Sequence, residues 1–169
     1  MGGAFRCGIV VLAMRFTVIA VGRLKERFWA AACDEYLKRL QPYAKTSVVE
    51  LSDIDPRKAG GEAEAVSREG AAICAALGQR THVVLLAIDG KQRSSESFSE
   101  RLDALALSGA SDISFVIGGS CGVSAEVRAR ANETLSFGPI TLPHNLARVV
   151  LLEQLYRAQR ISRGEPYHK

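Results

Sequence analysis

Two rhythms of apolar and polar positions alternate along this chain. Arg15-Phe-Thr-Val-Ile-Ala-Val-Gly22 is a β-branched apolar run closed by glycine, which predicts a first strand buried on both faces. From Arg23 to Leu40 the period lengthens. Phe28, Ala31, Ala32, Cys33, Tyr36, Leu37 and Leu40 fall on one helical stripe, with Lys25, Arg27, Glu35 and Lys38 outside it. Gln41-Pro42-Tyr43 ends that helix, and Thr46–Leu51 follows as a weaker strand of alternating, edge-like character. Asp53 to Gly61 is polar, holds Pro56 and two glycines, and predicts a loop. Glu62–Leu77 is alanine-rich and helical, stopped by Gly78.

Thr81–Gly90 predicts a third strand, apolar enough to lie centrally, and Ser94 or Ser95 caps a helix that runs to Gly109. Ile113–Ile117 is a fourth strand, Ser124 caps a short helix after it, and Glu133–Ser136 has the makings of a fifth strand. Pro139 and Pro143 keep the stretch from Phe137 to Pro143 out of regular helix. Leu146 to Arg163 then predicts a helix of about five turns, with Asn145 as N-cap and Gly164 beyond its end. Strand and helix in repeated succession predict an α/β fold, a mostly parallel sheet with helices on both faces, with ligands beyond the carboxyl ends of the strands.

Two pieces of chain fit such a ligand site. Ile113-Ser-Phe-Val-Ile-Gly-Gly-Ser-Cys-Gly122 is a buried strand feeding a glycine turn and then a helix, which leaves backbone N–H groups free beside a ligand. Its glycines lack the G-x-G-x-x-G spacing and follow a late strand, so a dinucleotide site is poorly supported; no phosphate-binding G-x-x-x-x-G-K-[ST] loop exists either. The second piece is Leu135-Ser-Phe-Gly-Pro-Ile-Thr-Leu-Pro-His144 with the long segment behind it.

Composition narrows the class without naming it. A chain of 169 residues, 47% hydrophobic, is long enough for one domain with a real core. The net charge of +4 is mild, but the last helix and tail hold Arg148, Arg157, Arg160, Arg163 and Lys169 against only Glu153 and Glu165. The four cysteines are scattered without metal-ligand or disulfide spacing, which fits a reducing cytoplasm and points to no metal site. The apolar run Gly8–Ala13 makes a poor signal peptide, because a domain-like strand follows at once. Met1 to Ala13 are expected to be a disordered extension ahead of a single domain over 14–169.

Phe115-Val-Ile-Gly-Gly-Ser-x-Gly122, Leu135-Ser-Phe…Thr-Leu-Pro-His144, Arg148-Val-Val-Leu-Leu-Glu-Gln-Leu-Tyr-Arg-Ala158 and the terminal Pro166-Tyr-His-Lys169 together resemble the RlmH family, over nearly all of Met14 to Lys169. These are small SPOUT-class methyltransferases that use S-adenosylmethionine to methylate a pseudouridine of 23S ribosomal RNA. The resemblance implies a C-terminal helix drawn through the preceding loops as a deep trefoil knot, a homodimer with sites near the interface, and no membrane partner. It implies a cofactor site built from Leu86, Gly118 and the loop Phe137, Gly138, Pro139, Ile140, Thr141 and Leu142. It also implies that the tail closes over the target base. Some relatives carry Pro-Glu where this chain has Ser120-Cys121, so no carboxylate role transfers there.

The chemistry of the residues is compatible with that site. Backbone amides read a neutral adenine edge, and Leu86, Ile140 and Leu142 supply apolar walls. The acceptor is the N3 imide of the pseudouridine, whose proton must leave before or during attack; a nearby base or stabilising cations would do this. His144, Arg148, Tyr167 and His168 are the candidates, with no choice among them. Two other classes stay open: a non-enzymatic ribosome-associated RNA-binding protein, and a small α/β enzyme using another nucleotide.

Overall fold

A computed structural model describes residues 13–167 of the chain. The expected extension therefore lies outside the described residues except for Ala13, as does His168 of the tail.

Five strands form one sheet in the order β2-β1-β4-β3-β5, and every pairing between them is parallel. They are β1 Met14–Val21, β2 Ala44–Leu51, β3 His82–Gln92, β4 Asp112–Ile117 and β5 Glu133–Ser136. Interleaved with them run α1 Arg27–Leu40, α2 Pro56–Ala59, α3 Glu62–Ala76, α4 Ser95–Leu107, α5 Ala125–Arg130 and α6 His144–Ser162. The glycine-bounded strand β4 occupies the middle of the sheet, and β3 sits one place outward between β4 and β5. β2 is an edge, as its alternating pattern predicts.

The two-residue repeat of a strand divides the core in two. Phe16, Val18 and Ala20 of β1 with Ile113, Phe115 and Ile117 of β4 face one layer, where they meet α1, α4 and α6. Ile19 and Val21, with Val83, Leu85 and Val116, face the opposite layer, against Ile73 of α3 and Val127 of α5. Helix α6 runs between α1 and α4 and buries Leu151, Leu152, Leu155 and Ala158. This three-sided packing accounts for the breadth of its apolar face.

Three local features differ from the pattern reading. The polar segment before α3 contains a single helical turn, α2, started by Pro56 and by Asp55, whose side chain accepts from the Arg57 amide. Helix α1 begins at Arg27 rather than Arg23, without a side-chain cap. Helix α6 starts at His144, with Pro143 at the N-cap position, so Asn145 lies inside the helix and does not cap it. Proline's fixed φ prepares the first turn, which explains the earlier start.

Candidate functional site

The carboxyl ends of β4, β3 and β5 open onto one cleft of about 600 Å³. Three segments build its wall. The first comes from an irregularity in β3, which pairs with β5 through Leu86↔Leu135, then slips, and resumes at Lys91↔Leu135. The four intervening residues leave the ladder, and Ala87, Ile88 and Asp89 line the cleft in consequence. Gly90 permits the excursion, since a Cβ there would stand 2.8 Å from the Leu135 carbonyl carbon. Buried Ser136 locks the arrangement: its hydroxyl lies 2.9 Å from the Ile88 carbonyl and accepts from the Gly138 amide at 3.1 Å.

The second segment is the glycine turn after β4, where Gly118, Gly119, Ser120, Gly122 and Val123 line the cleft. A Cβ on Gly118 would lie 2.4 Å from Val123 Cγ1 and 3.3 Å from the Gly122 oxygen. A side chain at 118 would therefore force the turn apart from within, rather than project into the open cleft. Ser124 closes the segment by accepting from the Val127 amide at the start of α5.

The third segment runs from Phe137 into α6. Phe137, Gly138, Ile140, Thr141, Leu142, Pro143, His144 and Ala147 all line the cleft. Of the sequence-derived cofactor candidates, Leu86, Gly118, Phe137, Gly138, Ile140, Thr141 and Leu142 thus share one wall, while Pro139 is in the same loop but off the lining. Ile88 and Ile140 are large apolar side chains left 57% and 59% exposed at this cleft.

The candidate catalytic residues among the described ones, His144, Arg148 and Tyr167, are not gathered in one place. His144 is on the cleft wall, stacked over Gly22 so closely that a Cβ there would be 2.8 Å from its Nε2. Gly22 holds φ of +99°, a conformation that disfavours any other residue. Arg148, one helical turn on, points away from the cleft into the interior and is 1% exposed. Its Nη1 donates to Glu50 Oε1 at 2.5 Å and its Nη2 to the Gly22 carbonyl at 2.8 Å. The same Glu50 oxygen accepts from the Leu24 amide. Arg148 therefore ties α6, β2 and the β1–α1 turn together directly beneath His144.

Tyr167 lies elsewhere again, against the middle of α6. Its hydroxyl donates to Glu153 at 3.0 Å, its ring meets Tyr156 edge-on, and the Arg157 guanidinium stands 4.2 Å from its ring centroid. Burial and then the Glu153 hydrogen bond push the phenol up to about 12, so Tyr167 is a neutral donor at physiological pH. Nine residues of helix separate Glu153 from His144, about 13 Å along the axis. Within one chain the tail tyrosine and the cleft histidine therefore stay apart.

Several residues the pattern reading passed over hold this geometry: Gly22, Glu50, Gly90, Ser136 and Glu153. Gly22 and Gly90 left a signal, each as a glycine ending an apolar strand; the others act through partners remote in sequence.

Residues 14–168 match the family model described as predicted SPOUT methyltransferase. The protein named Ribosomal RNA large subunit methyltransferase H from Bacillus cytotoxicus is 54% identical over 159 residues, covering 92% of this chain and all of the relative. Its namesake from Bacillus thuringiensis strain Al Hakam is 52% identical over the same shares. The crystal structure of the SpoU methyltransferase AviRb from Streptomyces viridochromogenes with AdoMet aligns at 14% identity and TM-score 0.43, over 86% of this chain and 58% of that one. On the strength of the family model and of relatives more than half identical along their whole length, this chain belongs to the SPOUT methyltransferase family.

Proposed function

We propose that the protein transfers a methyl group from S-adenosylmethionine to N3 of a pseudouridine in 23S ribosomal RNA. One observation carries the reading: Leu86, Gly118 and the loop from Phe137 to Leu142, remote in sequence, converge on a single cleft at the strand ends. The cleft fits the donor. Leu86, Ile88, Ile140 and Leu142 offer apolar surface to a flat ring, and the glycine turn leaves backbone free of side chains for the neutral polar edges. When bound, the donor supplies an activated methyl group; the chain has to orient both reactants and exclude water.

On the acceptor side His144 is the best placed proton acceptor, because it reaches the cleft and Arg148 does not. Arg148 acts by positioning. With Glu50 and the Gly22 carbonyl it fixes the bed on which the imidazole rests. Tyr167, held neutral, serves as a hydrogen-bond donor to the base or its phosphate once its hydroxyl gives up Glu153, rather than as a proton acceptor. Because its own His144 lies about 13 Å away along α6, nine residues of helix from Glu153, the tail closes on the cleft of a second copy. The working unit is thus a homodimer in the cytoplasm, its large-subunit RNA partner met across both chains.

The cationic end of α6 supports the RNA partner. Arg160 and Arg163 surround Tyr43, with Arg163 4.4 Å from its ring centroid. Phosphate binding by such a patch is salt-sensitive. The name shared by the relatives more than half identical points to the same substrate class.

The test is made in cells. Ribosomal RNA from a strain lacking the gene is digested and weighed by mass spectrometry. One pseudouridine-containing fragment should lose 14 mass units, about one methylene, and regain them on complementation; an unchanged digest rejects the reading.

A further inference from the structure

The donor and acceptor chemistry above leaves two charged side chains on the cleft wall without a task. Asp89 comes from the β3 excursion and Arg128 from α5. Among the described residues they are, apart from His144, the only ionisable ones lining the cleft; the rest of that wall is carbon, backbone and the hydroxyls of Ser120 and Thr141. Arg128 Nη1 lies 3.4 Å from Asp89 Oδ2, with the two side chains 49% and 71% exposed. A contact so long and so open to water holds little energy, and each partner is free to exchange it for another ion.

We infer that Asp89 and Arg128 form a zwitterion site for the amino-acid end of the methyl donor, Arg128 taking the α-carboxylate and Asp89 the α-ammonium. The inference rests on reading this cleft as the donor site. The adenosine part of the donor is neutral and suits the apolar and backbone-lined wall. Its amino-acid end carries one negative and one positive group, which need a cation and an anion close together. A guanidinium offers a carboxylate two parallel N–H donors, and Arg128 spends only one contact on protein. The pair therefore neutralises itself through one long contact, which each partner can exchange for an ion of the opposite charge on the ligand. It would also set specificity, since nucleosides without an amino-acid end gain nothing from it.

The test is calorimetric and independent of turnover. S-adenosylhomocysteine keeps the amino-acid end, and 5′-methylthioadenosine lacks it. Arg128→Gln and Asp89→Asn should each weaken S-adenosylhomocysteine about tenfold, the loss of one charge-assisted contact, and leave 5′-methylthioadenosine within about twofold. Decarboxylated S-adenosylmethionine, which keeps the ammonium alone, should respond to Asp89→Asn and not to Arg128→Gln. Retained 5′-methylthioadenosine binding also certifies that the variants are folded. If both nucleosides weaken equally, or neither weakens, the zwitterion site is wrong while the cleft stands. If the unaltered protein binds neither, the cleft reading itself falls and takes the inference with it.

Discussion

Arg148 carries a charge into the interior of the protein, and the arrangement around it shows why a residue can matter to a reaction it never touches. Among the described residues Glu50 is its sole anionic partner, reached through a single 2.5 Å contact, and Arg148 Nε is buried with no hydrogen-bond partner among them. Glu50→Ala would strand the guanidinium among Gly22, Cys33 and the core. The cost of an uncompensated buried cation is about 3 kcal/mol. We expect a lower midpoint of unfolding in urea with unchanged slope; a midpoint within error of the parent would show that the pair stabilises nothing. Glu133 poses a different charge problem at the outer strand. Burial raises its carboxyl, but the His82 hydrogen bond and the Arg101 charge outweigh that, and the net shift is downward from 4.5. A depressed folded value contributes stability that is complete above pH 4.5 and is lost as the pH falls through the folded value. Glu133→Gln should thus lower Tm near neutrality, and the two Tm curves should converge on acidification below 4.5. Parallel curves would contradict the assignment.

Among the elements, the strands and the glycine turn were legible because their signals are local. β1 and β4 are apolar on both faces and end on glycine, and the alternation of β2 marks an edge. Candidate cleft residues were legible through the family resemblance, which placed Leu86, Gly118 and the loop to Leu142 together although no spacing rule connects them. The excursion of β3 was not. It depends on Gly90 passing the Leu135 backbone and on Ser136 holding the Ile88 carbonyl, two contacts spanning more than forty residues of sequence. The inward course of Arg148 was not legible for a related reason. A helix of mixed composition does not announce which arginine turns inward, and only the carboxylate of Glu50, on another strand, makes the inward choice tolerable. Asn145 looked like an N-cap, but with Pro143 in that position the helix starts two residues earlier than expected, at His144.

At the scale of the whole molecule the central consequence of the proposed dimer is that the cleft of one chain is completed by the tail of the other. Truncation after Gly164 removes Tyr167 and leaves every cleft-lining residue in place. Donor affinity should persist while turnover falls by about two orders of magnitude, the scale of losing a positioned donor or base. Mixing the truncated chain with a full-length chain carrying His144→Ala should restore part of the activity, because one mixed site then has both an intact cleft and an intact tail. No restoration would show that the tail serves its own cleft. The most direct measurement of the whole account is methyl transfer in a defined system. Purified protein, S-adenosylmethionine with an isotopically labelled methyl group, and large-subunit RNA or ribosomes from a strain lacking the gene are incubated, and the labelled nucleoside is identified by mass spectrometry. The account predicts label at N3 of a single pseudouridine, abolished with His144→Ala; label on any other atom or nucleoside, or none on any particle, would contradict it.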